Sequence, residues 1–474
     1  MDEGPLRPDE ADALLAPLAA FPRLILAVSG GPDSTALMYL VTSWCRRLHR
    51  GDDDLLVASV DHGLRPESAN EAVHVARQAA ALGIRHRTLK WSVPHPGAGL
   101  QAAAREARYD LLHELWQTFG GAIVTAHTAD DQAETLLMRL ARGSGVDGLA
   151  AIPVYGALSR FVAGGATILT APVVRPLLGI PRQRLLSTLH ADGIAYIEDP
   201  SNHDVRFERV RVRRAMVHLR ELGFTTDGLA RTARRMQAAK AALDGAADAL
   251  AATAVRRVLD AVFEVDRARL TAEPEAGVRL FRRLLDRAGG SARPAGLSAV
   301  EAAFERLAAG RAPQTFTLGG CLVDLAERTS DPGPRLRIYR EPEREGGLPV
   351  LTLEPGKAGL WDDRFLVSVW HGHRAVSEVG PLGDGLAALA AEHPVLQRLP
   401  IPGAAARGLP AFREAGALVA VPTLAAFAEA QGASETARLL SGPCHVDTGR
   451  QLRASAANLV AEPADRPMRE VFVA

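Results

Sequence analysis

Only three cysteines occur in the 474 residues, Cys45, Cys321 and Cys444, and no two lie close enough to form a Cys-x-x-Cys pair. That excludes a thiolate zinc site and a disulfide framework, and it fits a reducing cytosol. Excess charge is also missing: 55 basic residues balance 55 acidic ones. Net charge therefore points to no nucleic-acid partner, and such a partner would need a local basic patch. Long apolar runs are absent too. The longest, Ala415 to Ala428, contains Pro422 and falls short of the roughly 20 residues that cross a bilayer. The opening residues Met1-Asp2-Glu3-Gly4-Pro5 are acidic, where a secretion signal would be basic and then apolar. The expectation is a cytoplasmic protein without a membrane span. Nowhere does Gly-Lys-Ser/Thr close a glycine loop, which disfavours γ-phosphoryl transfer by the Walker route.

What is present is ordinary for a folded chain, 47% hydrophobic and 23% charged residues, with length enough for two or three domains. From Leu24 to about Arg142, short apolar runs alternate with helical patterns. The runs are Leu24–Val28, Leu55–Val60, Arg85–Leu89 and Ala122–Ala126, and the helical stretches lie near Ser34–Trp44, Glu67–Leu82, Gln101–Thr118 and Asp130–Arg142. This rhythm predicts an α/β domain with a doubly wound parallel sheet, its ligands at the carboxyl ends of the strands. Tyr155–Pro172 reads as a loop or hairpin and Val173–Leu178 as a further strand. Thr226 to about Asp260 is rich in Ala, Arg and Leu and reads as a long helix. The expected division is 1–215 for the α/β domain, 216–312 for a helical middle domain, and 313–474 for a small mixed α/β or β-rich C-terminal region, with Glu341–Gly359 as a connection.

The sharpest chemical signal is Ser29-Gly30-Gly31-Pro32-Asp33-Ser34, after one predicted strand and before a helix. Paired glycines let backbone approach an anion, and the helix start offers unpaired N–H groups with positive partial charge. Asp61 and His62 end the second strand, where they either cap the next turn or face a nucleotide. Arg105 and Arg108 share one helix face, as a solvated surface or as phosphate ligands. Asp131 and Glu134 stand three apart at a helix start, where carboxylates either complement the helix dipole or point into one site.

The Ser-Gly-Gly-x-Asp-Ser loop resembles the pyrophosphate loop of the N-type ATP pyrophosphatase (PP-loop) superfamily. Further segments make the chain similar to the tRNA(Ile)-lysidine synthetase family: Asp61-His62-Gly63-Leu64-Arg65, Ala103-Ala104-Arg105-Glu106-Ala107-Arg108-Tyr109, and Ala126-His127-Thr128-Ala129-Asp130-Asp131-Gln132-Ala133-Glu134-Thr135. Arg142-Gly143-Ser144-Gly145, Arg175-Pro176-Leu177-Leu178 and Asp199-Pro200-Ser201-Asn202 follow in the same order. The resemblance implies a ligase with ATP and Mg2+ as cofactors, and a tRNA(Ile) with CAU anticodon and free L-lysine as partners. It leaves the oligomeric state open, a dimer included. The implied reaction has two steps. Cytidine O2 attacks the α-phosphorus of ATP while pyrophosphate leaves into residues 29 to 34, with magnesium near Asp33. The lysine amine, held by Asp131 and Glu134 with Asp130 assisting, then attacks C2 and AMP departs. An amine of ordinary pKa about 10.4 must lose a proton before it attacks.

A local basic patch exists after all. Between His203 and Lys240 ten basic residues face four acidic ones, and Arg206, Arg209, Arg211, Arg213 and Arg214 are its densest part. Such a stretch can track a phosphate backbone. The family run Arg-Asn-x-x-Arg departs here, with Val210 in place of Asn. Leu318-Gly319-Gly320-Cys321 and Trp361-Asp362-Asp363-Arg364 resemble accessory domains of longer family members, which implies tRNA docking. His371-Gly372-His373 lacks a third ligand nearby and reads as loop histidines. The alternative function is another PP-loop tRNA-modifying or amide-forming ligase, which the missing Cys-x-x-Cys and the absence of a glutaminase nucleophile disfavour.

Overall fold

The computed structural model describes residues 4–63, 67–91, 100–162, 167–198, 208–290, 294–325, 335–342, 347–370, 375, 377–442 and 444–447. They divide into two compact units, one of residues up to Arg160 with Leu169–Lys240, the other of Phe161–Ile168 and the chain from Ala241 onward. Arg206, the Asp199–Asn202 segment, Leu64, Arg65 and the His371–His373 cluster lie outside the described residues.

The first unit runs α1 (Pro8–Leu15), β1 (Leu24–Ala27), α2 (Pro32–Arg47), β2 (Leu55–Asp61), α3 (Glu67–Ala81), β3 (Arg85–Lys90), α4 (Leu100–Phe119) and β4 (Ala122–Val124). It continues through α5 (Ala129–Ala141), the single turn α6 (Val146–Leu149), β5 (Tyr155–Val162), β6 (Thr167–Val174), α7 (Arg182–Ala191), α8 (Glu208–Glu221) and the start of α9 (Thr226–Ala254). Six strands form one sheet in the order β3-β2-β1-β4-β6-β5, and β1 lies parallel to both β2 and β4. Alternation along the strands feeds two cores. Leu24, Leu26, Leu55 and Val57 pack with Leu37 of α2 and Leu185 of α7. Ile25, Leu56 and Ile123 turn the other way, against Leu112 and Leu115 of α4. Burial on both faces is why these strands read as nearly continuous apolar runs. The chain steps from β1 outward through β2 and β3, then returns to β1's other side as β4. That reversal opens a crevice at the carboxyl ends of β1 and β4, the ligand position of doubly wound sheets.

The second unit departs from the sequence reading at its start. The long helix ends at Ala254 instead of near Asp260, and β7 (Val255–Val258) and β8 (Val262–Asp266) follow. Leu259 and Asp260 take φ of 45° and 53° and reverse the chain between them. After α10 (Arg267–Ala272), α11 (Pro274–Gly289) and α12 (Leu297–Ala308) come β9 (Thr315–Leu318), β10 (Cys321–Asp324) and β11 (Arg335–Arg340). These strands make a five-stranded sheet, β7-β8-β11-β10-β9, whose core holds Phe281, Leu284 and Phe304. Helical patterning of 216–312 was thus only part of the story: β7 is held by pairing with β8, and β8 by pairing with β11, some 70 residues downstream.

The remaining elements are β12 (Leu351–Leu353), β13 (Ala358–Trp361), β14 (Phe365–Val369), β15 (Ser377–Pro381), α13 (Gly385–Glu392), α14 (Gly403–Arg407), β16 (Pro410–Glu414) and β17 (Ala417–Ala420), then α15 (Pro422–Ala430), α16 (Ser434–Ser441) and β18 (Cys444–Asp447). They form the sheets β12-β15-β16-β17 and β13-β14-β18. The expected connection Glu341–Gly359 therefore contains a strand, β12. The Trp361–Arg364 segment is a β13–β14 turn in which buried Asp362 accepts from Arg340 at 3.0 Å and from Arg364 at 2.6 Å. Two guanidiniums around one carboxylate compensate its desolvation, which gives Asp362 a structural job. Among the described residues no helix is long and apolar enough to cross a membrane.

Candidate active site

The Ser29–Ser34 segment leaves β1 and enters α2 with Gly31 as N-cap and Pro32 at the first helical position. Gly30 takes φ +89°, and a Cβ there would sit 2.9 Å from Ile197 Cδ1, so glycine is needed for both reasons. The loop is closed from within. The Ser34 hydroxyl donates to the Gly31 carbonyl at 3.0 Å and accepts from the Ser29 amide at 3.2 Å, and the Thr35 hydroxyl donates to the Gly30 carbonyl at 3.1 Å. First-turn amides of a helix have no intrahelical acceptor, so the closed loop presents donors for an anion.

Three helix starts converge at this loop. Arg182, first residue of α7, donates its amide to Asp130 Oδ2 at 2.7 Å, and the Ala129 amide at the start of α5 donates to the Ile180 carbonyl at 2.9 Å. Arg182 Nε lies 3.6 Å from Asp33 Oδ1 in the first turn of α2. Positive dipole ends and a guanidinium thus surround one crevice, which favours a polyanion there. Asp33 is the exception in sign. Burial, with Asp131 and Asp130 nearby, pushes its carboxyl up from 3.8 to about 6 against the pull of Arg182 and Arg213. Its Oδ1, buried, has no hydrogen-bond partner among the described residues.

Asp131 and Glu134, two of the three carboxylates of α5, divide their work. Asp131 Oδ2 accepts from the Thr128 amide at 2.9 Å and the Thr128 hydroxyl at 3.1 Å, forming the capping box of α5. Its Oδ1 faces Arg209 at 3.8 Å. One oxygen of Asp131 thus caps α5 and the other faces a guanidinium of α8, and Asp131 is not among the residues that line the cavity beside Glu134. Glu134 is 3% exposed. Arg213 Nε donates to its Oε1 at 2.8 Å, whereas Oε2 is buried without a hydrogen bond. Burial pushes the Glu134 carboxyl up, and Arg213 draws it back.

Helix α8 brings the arginines in at i, i+4 spacing, so Arg209 and Arg213 share the face toward α5; Arg211, Arg213 and Arg214 are all exposed, Arg213 while holding its bond to Glu134. Met216 on that inner face packs with Ala133, Leu136 and Ala233 and pins α8 in place. Between the helices lies a cavity of about 190 Å³. Asp130, Ala133 and Glu134 of α5 form one wall, and Arg213, Met216, Val217 and Arg220 of α8 the other, with Thr226 at the end. The cavity is smaller than the roughly 300–1,000 Å³ of sites for drug-sized ligands, a size that suits a small molecule.

Asp61 and His62 stand at the carboxyl end of β2, where Asp61 Oδ1 accepts the Gly63 amide at 3.0 Å. Arg108 Nη2 is 3.4 Å from His62 Nε2, and Arg105 stacks its guanidinium 5.2 Å from the Tyr109 ring centre. Three residues of the site were given no role from sequence, although His127 and Arg175 stand in the quoted family segments. His127 is paired to the Thr125 hydroxyl through Nδ1 at 2.9 Å. Burial pushes its pKa from 6.5 to about 4 despite Asp131, with Arg175, Arg209 and Arg105 adding to the fall, so it is neutral at physiological pH. Arg182 and Arg175 are the others; Arg175 Nη1 donates to the Pro153 carbonyl at 3.0 Å. The usable signal was position, since His127 follows β4 and Arg182 opens α7.

A family model described as a PP-loop domain matches residues 8–220. The tRNA(Ile)-lysidine synthase of Rhodopseudomonas palustris is 45% identical over 355 residues, covering 71% of this chain and 96% of that protein. That of a Bradyrhizobium species is 42% identical over 360 residues, with 71% and 97% covered. The enzyme of Ruegeria pomeroyi is 41% identical over 363 residues, with 76% and 80% covered. With the phosphate loop, the convergent helix starts and the carboxylates of α5 all inside the matched region, the chain belongs to the tRNA(Ile)-lysidine synthase family of PP-loop enzymes.

Proposed function

We propose that the protein joins L-lysine to C2 of the anticodon cytidine of a tRNA(Ile) carrying CAU, consuming ATP and releasing AMP and pyrophosphate. One observation carries this reading: Arg182 reaches Asp33 of the phosphate loop at 3.6 Å through Nε and Asp130 of the cavity wall at 2.7 Å through its amide, which supports treating the nucleotide loop and the cavity beside Glu134 as parts of one site. A loop for a leaving diphosphate and a small cavity with carboxylates for an amine are the two parts that a two-step ligation needs.

In this reading the donors of residues 29–34 and the starts of α2, α5 and α7 stabilise charge on the departing pyrophosphate. Arg182 supports the same anion. Asp33 Oδ1, ion-paired to Arg182 but without a hydrogen bond among the described residues, fits a magnesium ion, which is usually held by one or two carboxylates together with substrate phosphates; when bound it would neutralise charge developing on them. Glu134 Oε2 receives the lysine ammonium, and its raised affinity for protons narrows the gap to the amine it must help deprotonate. Arg213 fixes the other oxygen. Arg105, Arg108, Arg206, Arg211 and Arg214 supply contacts to RNA phosphate, Asp61 and His62 lie along the nucleotide, residues 1–215 carry the ATP chemistry with the cavity wall continuing to Thr226, and 313–474 dock the tRNA.

Incubating the full chain with ATP, labelled lysine and a CAU-bearing tRNA tests the proposal. Label should enter the RNA with stoichiometric AMP and pyrophosphate. Turnover of ATP to ADP, or RNA that stays unlabelled, would overturn it.

A further inference from the structure

The cavity between α5 and α8 has charge of both signs. At one end Glu134 keeps a buried oxygen with no hydrogen bond, and Asp130 stands one turn before it. Met216 and Val217 make an apolar stretch of wall. Arg220 lines the cavity two turns beyond Arg213, about 10 Å along the helix at 1.5 Å per residue. Positions 213, 216, 217 and 220 follow helical spacing, so one face of α8 presents cation, apolar stem and cation in sequence. The two arginines differ in state. Arg213 is committed to Glu134 at 2.8 Å, whereas the Arg220 guanidinium has no ion pair or hydrogen bond to the described residues.

An acidic end, an apolar stem and an uncommitted guanidinium at the far end match a free amino acid with a long aminoalkyl side chain. We infer that Arg220 binds the α-carboxylate of the amino-acid substrate, and is therefore the residue that makes this site select free lysine over amines lacking that carboxylate. This rests on the proposed function and adds to it a specificity-determining residue. The logic is complementarity: with Glu134 taking the ammonium, an unpaired carboxylate in a small cavity would lose its hydration without compensation. A guanidinium offers it paired donors in a planar fork.

The test compares lysine, lysinamide and cadaverine as substrates for labelled-tRNA formation by the full chain and by the Arg220→Gln and Arg220→Lys variants. Wild-type protein should favour lysine over lysinamide by about 10- to 100-fold in kcat/KM, the scale of one charged hydrogen-bonded contact. Arg220→Gln should bring that ratio close to one by raising KM for lysine, and Arg220→Lys should restore part of it. Because the ratio is internal to each variant, a general loss of fold or activity does not mimic the result. A preference that survives in Arg220→Gln overturns the assignment, as does a variant altered only in KM for tRNA, which would make Arg220 an RNA contact. Failure of the wild-type protein to label RNA with any of the three amines would instead strike the proposed function itself.

Discussion

Arg213 Nε and Glu134 Oε1 meet at 2.8 Å, and the second oxygen of the same buried carboxylate has no hydrogen-bond partner among the described residues. One oxygen of Glu134 is thereby fixed by α8, and under the proposed function the other receives the amine. Removing a partner from a fully buried pair costs about 3–5 kcal/mol. The Arg213 side chain is 43% exposed, so water screens part of this, and Arg213→Ala should cost about 1–2 kcal/mol. Urea unfolding checks it. Glu134→Gln should lose lysine transfer and cost less stability, and in the double variant the two costs should fail to add. Strict additivity would mean that the pair is not coupled.

Asp33 sets an acidic limb on activity. Its pKa of about 6 makes the charged form, which a metal-nucleotide complex needs, scarce below pH 6. In kcat/KM for ATP, tRNA-dependent pyrophosphate release should fall as pH drops through about 6. Stability moves oppositely. A carboxylate whose folded pKa lies above its unfolded value of 3.8 makes the native state the tighter proton binder, so stability declines as pH rises between the two values. Asp33→Asn should therefore abolish turnover yet stabilise the protein at pH 7.5 by at most about 3 kcal/mol, less for solvent at its partly exposed side chain. Near pH 4 that gain should be much smaller. A variant equally stabilised at both pH values would show that the ionised carboxylate is not the source of strain.

Why these residues were legible is itself physical. The loop 29–34 announces itself because strand, paired glycines and helix start are all local in sequence, and β1, β2 and β4 because a strand buried on both faces is apolar throughout. Legibility fails where a residue's state is set from far away. Val255–Val258 reads as the tail of a helix until β8 and β11 pair beside it, since strand preference depends on context. Arg209 and Arg213 look like part of a solvated basic run. Only the placement of α8 against α5, fixed by Met216 and Ala133, shows that they turn inward to Asp131 and Glu134.

The two glycines of the loop should respond differently to the same methyl group. Gly30 has φ +89°, and its added Cβ would press on Ile197, so Gly30→Ala should cost about 1–3 kcal/mol and weaken ATP binding. Gly31 lies at φ −68°, and its Cβ would meet only Ser29 Oγ at 3.9 Å. Gly31→Ala should melt within about 0.5 kcal/mol of wild type while raising the ATP dissociation constant, because the methyl occupies the mouth of the anion loop. Thermal unfolding with and without ATP separates the two. If Gly31→Ala binds ATP normally, the phosphate does not approach that amide.

Val210 tests how far the family pattern is interchangeable. It is 7% exposed on α8, one position after Arg209 and three before Arg213, where the family run places Asn. Asn and Val differ little in helix propensity, so Val210→Asn isolates the burial of an amide. Without a partner that amide should cost about 1–3 kcal/mol, read as a lower urea midpoint at unchanged slope. Because Arg209 and Arg213 lie on the face toward α5, a shift of α8 to relieve the amide would also loosen the Glu134 pair, and KM for lysine should rise with the loss of stability. If Val210→Asn is instead as stable as wild type, the amide has found a partner in the site, and this chain does without an interaction that its surroundings could still accept.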